Sequence, residues 1–254
     1  LSTTRQIVGY NDEVIDMKSL PSGTRGKGES WIAVATNSPQ VRLFELGGFS
    51  CRLLDGHTDT VLALDVAPNG RHLCTSSKDR TCLLWDIDSG YPVVRMSGHS
   101  DAVGAIAASR KPGPWSSTSG GSGSDAGIRS VKSSGAFVVS GAADRTLQRW
   151  DVPCRALVVK EAKRSSSEDR SAVAGDVGDS GLGVAVGDGR AAPLVETATR
   201  SVRAHEKDIN CVAVSPNDAV VASASQDRTV KLWRSKDLEP LGVMKGHRRG
   251  VWKV

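Results

Sequence analysis

Three observations in the sequence predict an all-β fold assembled from repeated four-stranded units. The first is recurrence. The stretch "GHTDTVLALDVAPNGRHLCTSSKDRTCLLWD" from Gly56 returns as "GHSDAVGAIAAS" from Gly98, resuming at "FVVSGAADRTLQRWD" from Phe137, and as "AHEKDINCVAVSPNDAVVASASQDRTVKLWR" from Ala204. The second is period: His57 to His99 and His205 to His247 are both 42 residues, and His57 to Trp85 and His205 to Trp233 are both 28. The third is local chemistry. Apolar and β-branched runs such as Val61–Ala67, Ile209–Val214 and Thr229–Trp233 alternate with the turn formers "APNG", "SPND", "KDRT", "ADRT" and "QDRT", the pattern of short strands joined by tight turns.

Each copy holds three such strands, and a short apolar segment before every GH or AH pair ("CRLL", "VVRM", "TRSV", "LGVM") supplies the last strand of the unit before it. A weaker first copy starts at "GYNDEVIDM", with Tyr10 at the histidine position and Phe44 at the tryptophan position. A further copy begins at "GHRRGVW". The units are expected at about 6–54, 56–96, 98–203 and 204–244, with the start of another at 246–254. The chain opens on Leu1 and stops within a predicted strand, so it reads as a piece of a longer protein.

Two inserts interrupt the third unit, at 110–135 and 153–198. Their Gly/Ser-rich composition predicts solvated linkers. The first falls between the first and second strands of its unit and the second between the third and fourth, connections at the same end of an antiparallel unit, so both are expected on one side. "GGSGSDAG" and "GLGVAVGDG" contain Gly-x-Gly, but neither joins a strand to a helix as a nucleotide-binding turn requires. Ser165 and Ser166 each precede an acidic residue by three positions, at Glu168 and Asp169, a spacing that suits acid-directed kinases as well as a plain linker. Trp115, alone among small residues, is either a partner anchor or a side chain folded back on the core.

Bulk composition is that of an ordinary globular chain, with 39% hydrophobic and 24% charged residues among 254. Apolar runs are too short for a membrane-spanning helix, and no signal-peptide pattern opens the chain. Cys51, Cys74, Cys82, Cys154 and Cys211 lack CxxC spacing and are expected to be buried free thiols rather than zinc ligands. A net charge of +5 permits acidic partners without requiring them.

These repeats resemble the WD-repeat family of β-propellers, whose signature is a GH and a WD pair in a unit of about 40–45 residues with four strands. What the resemblance implies is a partial propeller of about four blades, drawn from a ring that commonly has seven. It also implies a hydrogen-bonded set inside each blade: His57, Thr75, Asp79 and Trp85; His99, Ser140, Asp144 and Trp150; His205, Ser223, Asp227 and Trp233. A serine, histidine and aspartate this close also suggest a catalytic triad, but a triad occurs once, in one cleft. Three copies at a fixed period read as architecture, because buried imidazole, carboxylate and indole groups must satisfy one another.

Arg80, Arg145, Arg228, Arg248 and Arg249, with Lys78 and Lys207, fall on the GH-loop side and form a candidate partner face for phosphate or acidic peptide, unless they merely solvate hairpin tips. Three phrases, "TRQIVGYNDEVIDMKSL", "AVATNSPQVRLFEL" and "HEKDINCVAVSPNDAVVASASQDRTVKLW", further resemble the WD-repeat subunits of the small-subunit processome, the U-three-associated proteins. That likeness implies a nucleolar, non-enzymatic scaffold of the UTP-B subcomplex. Its partners would be other WD-repeat subunits, the small nucleolar ribonucleoprotein and pre-rRNA, with no cofactor, membrane or small-molecule substrate. The competing reading is a phosphopeptide-recognition propeller such as a ubiquitin-ligase substrate receptor. An enzyme would need one unrepeated polar cluster, and the sequence offers none.

Overall fold

Strands dominate because each copy places short, near-continuous apolar runs between polar turns, so successive side chains put apolar groups on both faces of the central blades, which need neighbours. The structure, a computed structural model, describes residues 13–21, 31–47, 50–115, 133–157 and 193–254. The fold is all-β, and among the described residues four four-stranded antiparallel units stand as the blades of a partial propeller. Blade 1 contains β1 (Val14–Leu20), β2 (Trp31–Thr36), β3 (Val41–Glu45) and β4 (Cys51–Leu54). Blade 2 contains β5 (Val61–Val66), β6 (His72–Ser77), β7 (Thr81–Asp86) and β8 (Tyr91–Ser97). Blade 3 contains β9 (Val103–Ala108), β10 (Ser133–Ala142), β11 (Thr146–Pro153) and, after an intervening β12 (Leu194–Glu196), β13 (Arg200–Arg203). Blade 4 contains β14 (Ile209–Val214), β15 (Val220–Ser225), β16 (Val230–Arg234) and β17 (Pro240–Met244). Within each blade the four strands pair antiparallel in chain order.

The blades stand side by side through their first strands, β1 against β5, β5 against β9 and β9 against β14. Period-two alternation decides which seam each residue joins. In blade 2, Leu73, Leu83 and Trp85 face blade 1, while Cys74, Cys82 and Leu84 face blade 3. Blade 3 repeats the arrangement, with Val138 and Trp150 toward blade 2 and Phe137, Val139 and Leu147 toward blade 4. Where a face has no neighbouring blade the same position is open. Met96, on the β8 face covered by blade 3, is 2% exposed, and Met244, its counterpart on β17, is 48% exposed.

Polar ties cross the seams as well. Asp16 Oδ2 accepts the Leu64 N–H at 2.9 Å, and Asp65 Oδ2 accepts the Ala108 N–H at 2.8 Å. Asp65 is buried, and burial pushes its pKa up against the lowering pull of Arg110. Arg52 donates to the carbonyls of Ile87, Asp88 and Ser89, pinning blade 1 to the β7–β8 turn, and Arg149 donates to the Ser235 carbonyl at 2.6 Å.

The inserts differ from plain linkers where they are described. Gly113–Trp115 forms a 3-10 turn, Ser133–Gly135 belongs to β10, a helical turn α1 (Cys154–Leu157) follows β11, and β12 is a strand. Trp115 is folded back and fully buried, its indole N–H donating to Ser109 Oγ at 2.9 Å. The Asn69 amide of the "APNG" turn donates to the Trp115 carbonyl at 2.9 Å, and Asp218 of "SPND" accepts the backbone N–H groups of Arg110 and Lys111. Both inserts thus root on the side opposite the GH loops. Tyr10, Ser165, Ser166, Glu168, Asp169 and both Gly-x-Gly tracts lie outside the described residues.

Cys74 and Cys82 are buried free thiols, and burial pushes both pKa values up. Cys51 corrects the expectation, being exposed at the start of the outermost strand β4, and Cys211 is half-buried. Residues 251–254, expected to begin a strand, carry no ladder; they lie along β14, where Asn210 donates to the Val251 carbonyl at 2.9 Å.

Candidate functional site

Strand register builds the sets of four. Val138 pairs with Trp150 and Ser140 with Gln148, so Ser140 and Trp150 sit diagonally on one face, within reach of each other. Trp150 Nε1–H donates to Ser140 Oγ at 2.8 Å, Ser140 Oγ lies 2.8 Å from His99 Nε2, and His99 Nδ1 lies 2.9 Å from Asp144. Blade 2 repeats this with Trp85 to Thr75 at 2.9 Å, Thr75 to His57 at 2.7 Å and His57 to Asp79 at 2.8 Å. Blade 4 does so with Trp233 to Ser223 at 2.8 Å, Ser223 to His205 at 2.7 Å and His205 to Asp227 at 2.8 Å.

An indole only donates and a carboxylate only accepts, so the chain runs one way with a neutral ring: indole N–H to hydroxyl oxygen, hydroxyl hydrogen to Nε2, Nδ1–H to carboxylate. Each aspartate also closes its turn, Asp79 accepting from the Thr81 N–H and hydroxyl at 2.9 and 2.7 Å and from the Thr58 N–H at 3.0 Å. Against the raising effect of burial, these bonds hold Asp79 and Asp144 well below the usual carboxylate range and Asp227 at about 2. The histidine nitrogens and the hydroxyl of each set are all engaged inside a seam, so none of these three hydroxyls faces a cleft. Blade 1 lacks the set. There Arg42 donates to Thr36 Oγ1 at 2.6 Å and Ser38 Oγ bonds the Gln40 backbone, a polar turn without histidine.

His72 is a buried imidazole that the repeat pattern does not reveal. The Asn69 amide donates to its Nδ1 at 2.9 Å, leaving the proton on Nε2, which has no partner among the described residues. Burial pulls the His72 pKa down to about 4, with Asp86 opposing, and burial also lowers His205 against the pull of Asp227. A histidine depressed in the folded state takes up its proton more readily on unfolding. Stability is therefore full above the ordinary imidazole value of 6.5 and falls as pH drops from there toward 4. The aspartate contribution holds above 3.8 and declines as pH falls below it, that of Asp227 being spent at about 2 and those of Asp79 and Asp144 lower still, giving a second stage. Urea midpoints measured across this range are expected to fall in those two stages, and His72→Gln to flatten the upper one.

The seven predicted cations are all exposed. Arg80, Arg145 and Arg228 occupy the left-handed residue of each turn, at φ 68°, 68° and 70°, completing three-residue hairpin loops of type I turn plus left-handed residue. The structure gathers Lys207 and Arg228 round one recess of roughly 460 Å³ and adds two cations absent from the sequence reading, Lys231 and Lys245. Lys231 Nζ donates to the Ala204 carbonyl at 2.6 Å. Both break the repeat, since Leu83 and Gln148 stand where Lys231 does and Ser97 stands where Lys245 does. Among the described residues no cluster of His, Cys, Asp and Glu could hold a metal ion, and no helix is long and apolar enough to cross a membrane.

A stack of four-stranded blades carrying a repeated Trp–Ser/Thr–His–Asp chain is the construction of a WD-repeat β-propeller, and the chain carries WD40 repeats. The family model "WD domain, G-beta repeat" matches residues 48–86, 117–151 and 196–234. Over its whole length the chain is 36% identical to transducin beta-like protein 3 of Mus musculus, covering 26% of that protein, and 34% identical to the Homo sapiens protein of the same name, covering 25%. It is 25% identical to U3 small nucleolar RNA-associated protein 13 of Saccharomyces cerevisiae, again along its full length and over 26% of the relative. The chain thus spans about a quarter of the curated relatives it matches.

Proposed function

We propose that this chain is a segment of a non-catalytic WD-repeat scaffold for ribosome biogenesis, acting in the nucleolus in small-subunit processome assembly and processing of the small-subunit rRNA precursor. The observation that carries the reading is similarity, along the whole of this chain and a quarter of the relative, to a protein named for its association with U3 small nucleolar RNA. Physical support comes from the tetrads: each of the three Ser/Thr–His–Asp arrangements among the described residues is sealed in a seam and capped by an indole, so their role is to hold blades rather than to react. Other WD-repeat subunits of the UTP-B subcomplex, the U3 ribonucleoprotein and pre-rRNA are the partners this role requires. Depleting the intact protein is expected to stall early cleavage of the small-subunit rRNA precursor and to spare large-subunit rRNA. Normal small-subunit maturation after thorough depletion would overturn the assignment.

One observation favours a second reading, recognition of a phosphorylated or acidic peptide. Left-handed backbone costs a non-glycine residue about 1–2 kcal/mol, yet arginine holds that position in three turns, and Lys231 and Lys245 deepen the basic recess beside Arg228. A phosphopeptide that binds the intact protein tightly at physiological salt, together with normal rRNA processing on depletion, would select this reading.

A further inference from the structure

A strand at the rim of a sheet leaves one row of N–H and C=O groups unpaired and open to strand addition by another chain, and proteins blunt such edges with shortness, charge, proline or a cover. Three of the four outermost strands are blunted by their own sequence. β4 has four residues and carries Arg52; β13 has four and carries Arg200 and Arg203; β17 opens on Pro240 and is interrupted by Gly242. β8 has seven residues, and after Pro92 it runs Val93–Ser97 with Arg95 as its single charge. It is the rim most able to accept a foreign strand.

That rim is the one the chain covers itself. After β11 the chain leaves blade 3, lays β12 along β8 and only then returns to blade 3 as β13. β12 runs parallel to β8, whereas every pairing within the blades is antiparallel, and its register is Leu194 with Val94, Val195 with Arg95 and Glu196 with Met96. Leu194 and Ala198 pack into the seam between blades 2 and 3, alongside Trp115 and Leu157 from the roots of the two inserts. The return is pinned where the Thr199 N–H donates to the Arg149 carbonyl at 2.8 Å and the Asp151 N–H to Thr199 Oγ1 at 3.2 Å. Val195 is 66% exposed, so packing of its side chain does not explain the strand; backbone pairing does.

We propose that Leu194–Glu196 is a strap: a strand supplied by the insertion of blade 3 that closes the open edge of blade 2 to strand addition and ties the two blades at the rim. The strap is independent of the repeat, because both blades already have their four strands. Among the described residues it is also the one tie in which a blade borrows a strand from its neighbour.

Two measurements on the full chain test it. With Arg95→Cys and Val195→Cys, which stand opposite each other, mild oxidation is expected to form that disulfide in the native protein and not in urea, as read by peptide mapping. With Leu194→Gly, Val195→Pro and Glu196→Gly together, hydrogen exchange at Val93–Ser97 is expected to accelerate at least ~10-fold while the amides of β6 keep their protection. Absence of the native disulfide overturns the proposal, and so does unchanged exchange along β8. If the triple variant fails to fold, the disulfide alone decides.

Discussion

Trp150→Ala is expected to lower the unfolding free energy of the intact protein by about 3–5 kcal/mol, read from urea denaturation. The indole is 1% exposed and sits in the seam between blades 2 and 3, so its removal leaves a cavity that two sheets, each held by its own ladder, cannot close. The loss also frees Ser140 Oγ of its donor. Trp150→Phe retains most of the volume and deletes only the N–H, and about 1 kcal/mol is expected for it. Asp144→Ala falls between the two, at about 1–3 kcal/mol, since it strands the His99 ring and the Thr146 N–H. A chemical role would give the opposite pattern, with unchanged stability and a lost reaction.

Reversing Arg80, Arg145, Arg228, Arg248 and Arg249 to glutamate together is expected to weaken capture of the intact protein's partners by ~100-fold or more, with single reversals changing it by about 3-fold or less. Distributed charges on one face act through steering and many small contacts, so their effect appears in sum. The loss should shrink as salt is raised. Thermal stability should barely move, because all five side chains are exposed and none belongs to a tetrad. Equal capture by the quintuple variant would show that the partner face lies elsewhere.

The contrast between those two experiments follows how information is stored along the chain. Each tetrad draws on one repeat: His57, Thr75, Asp79 and Trp85 lie within 28 residues, and the choice of the hydroxyl four positions before the aspartate needed only the comparison of three copies. Repetition made those residues legible, because the hydrogen bonds of a tetrad close within one blade. Four blades, their strand order and the side from which the inserts hang were legible for the same reason.

What crosses a seam was not legible. Asp65 reaches Ala108, Arg149 reaches Ser235, Asn69 holds Trp115, and β12 pairs with a strand of the preceding blade. An aspartate inside the apolar run "LALDV" was the available sign of a buried polar tie, but its partner lies 43 residues away on another sheet. Trp115 stayed ambiguous because either outcome leaves the same tryptophan among glycines and serines, and only the pocket made by two blades and a turn decides that it folds inward. The sequence by itself determined the repeat, its strands and the polar set inside three of the blades, since those depend on alternation and spacing within one period. The tertiary structure alone decided the seams, the recess around Arg228 and the strap, since each depends on which surfaces meet after the blades have formed.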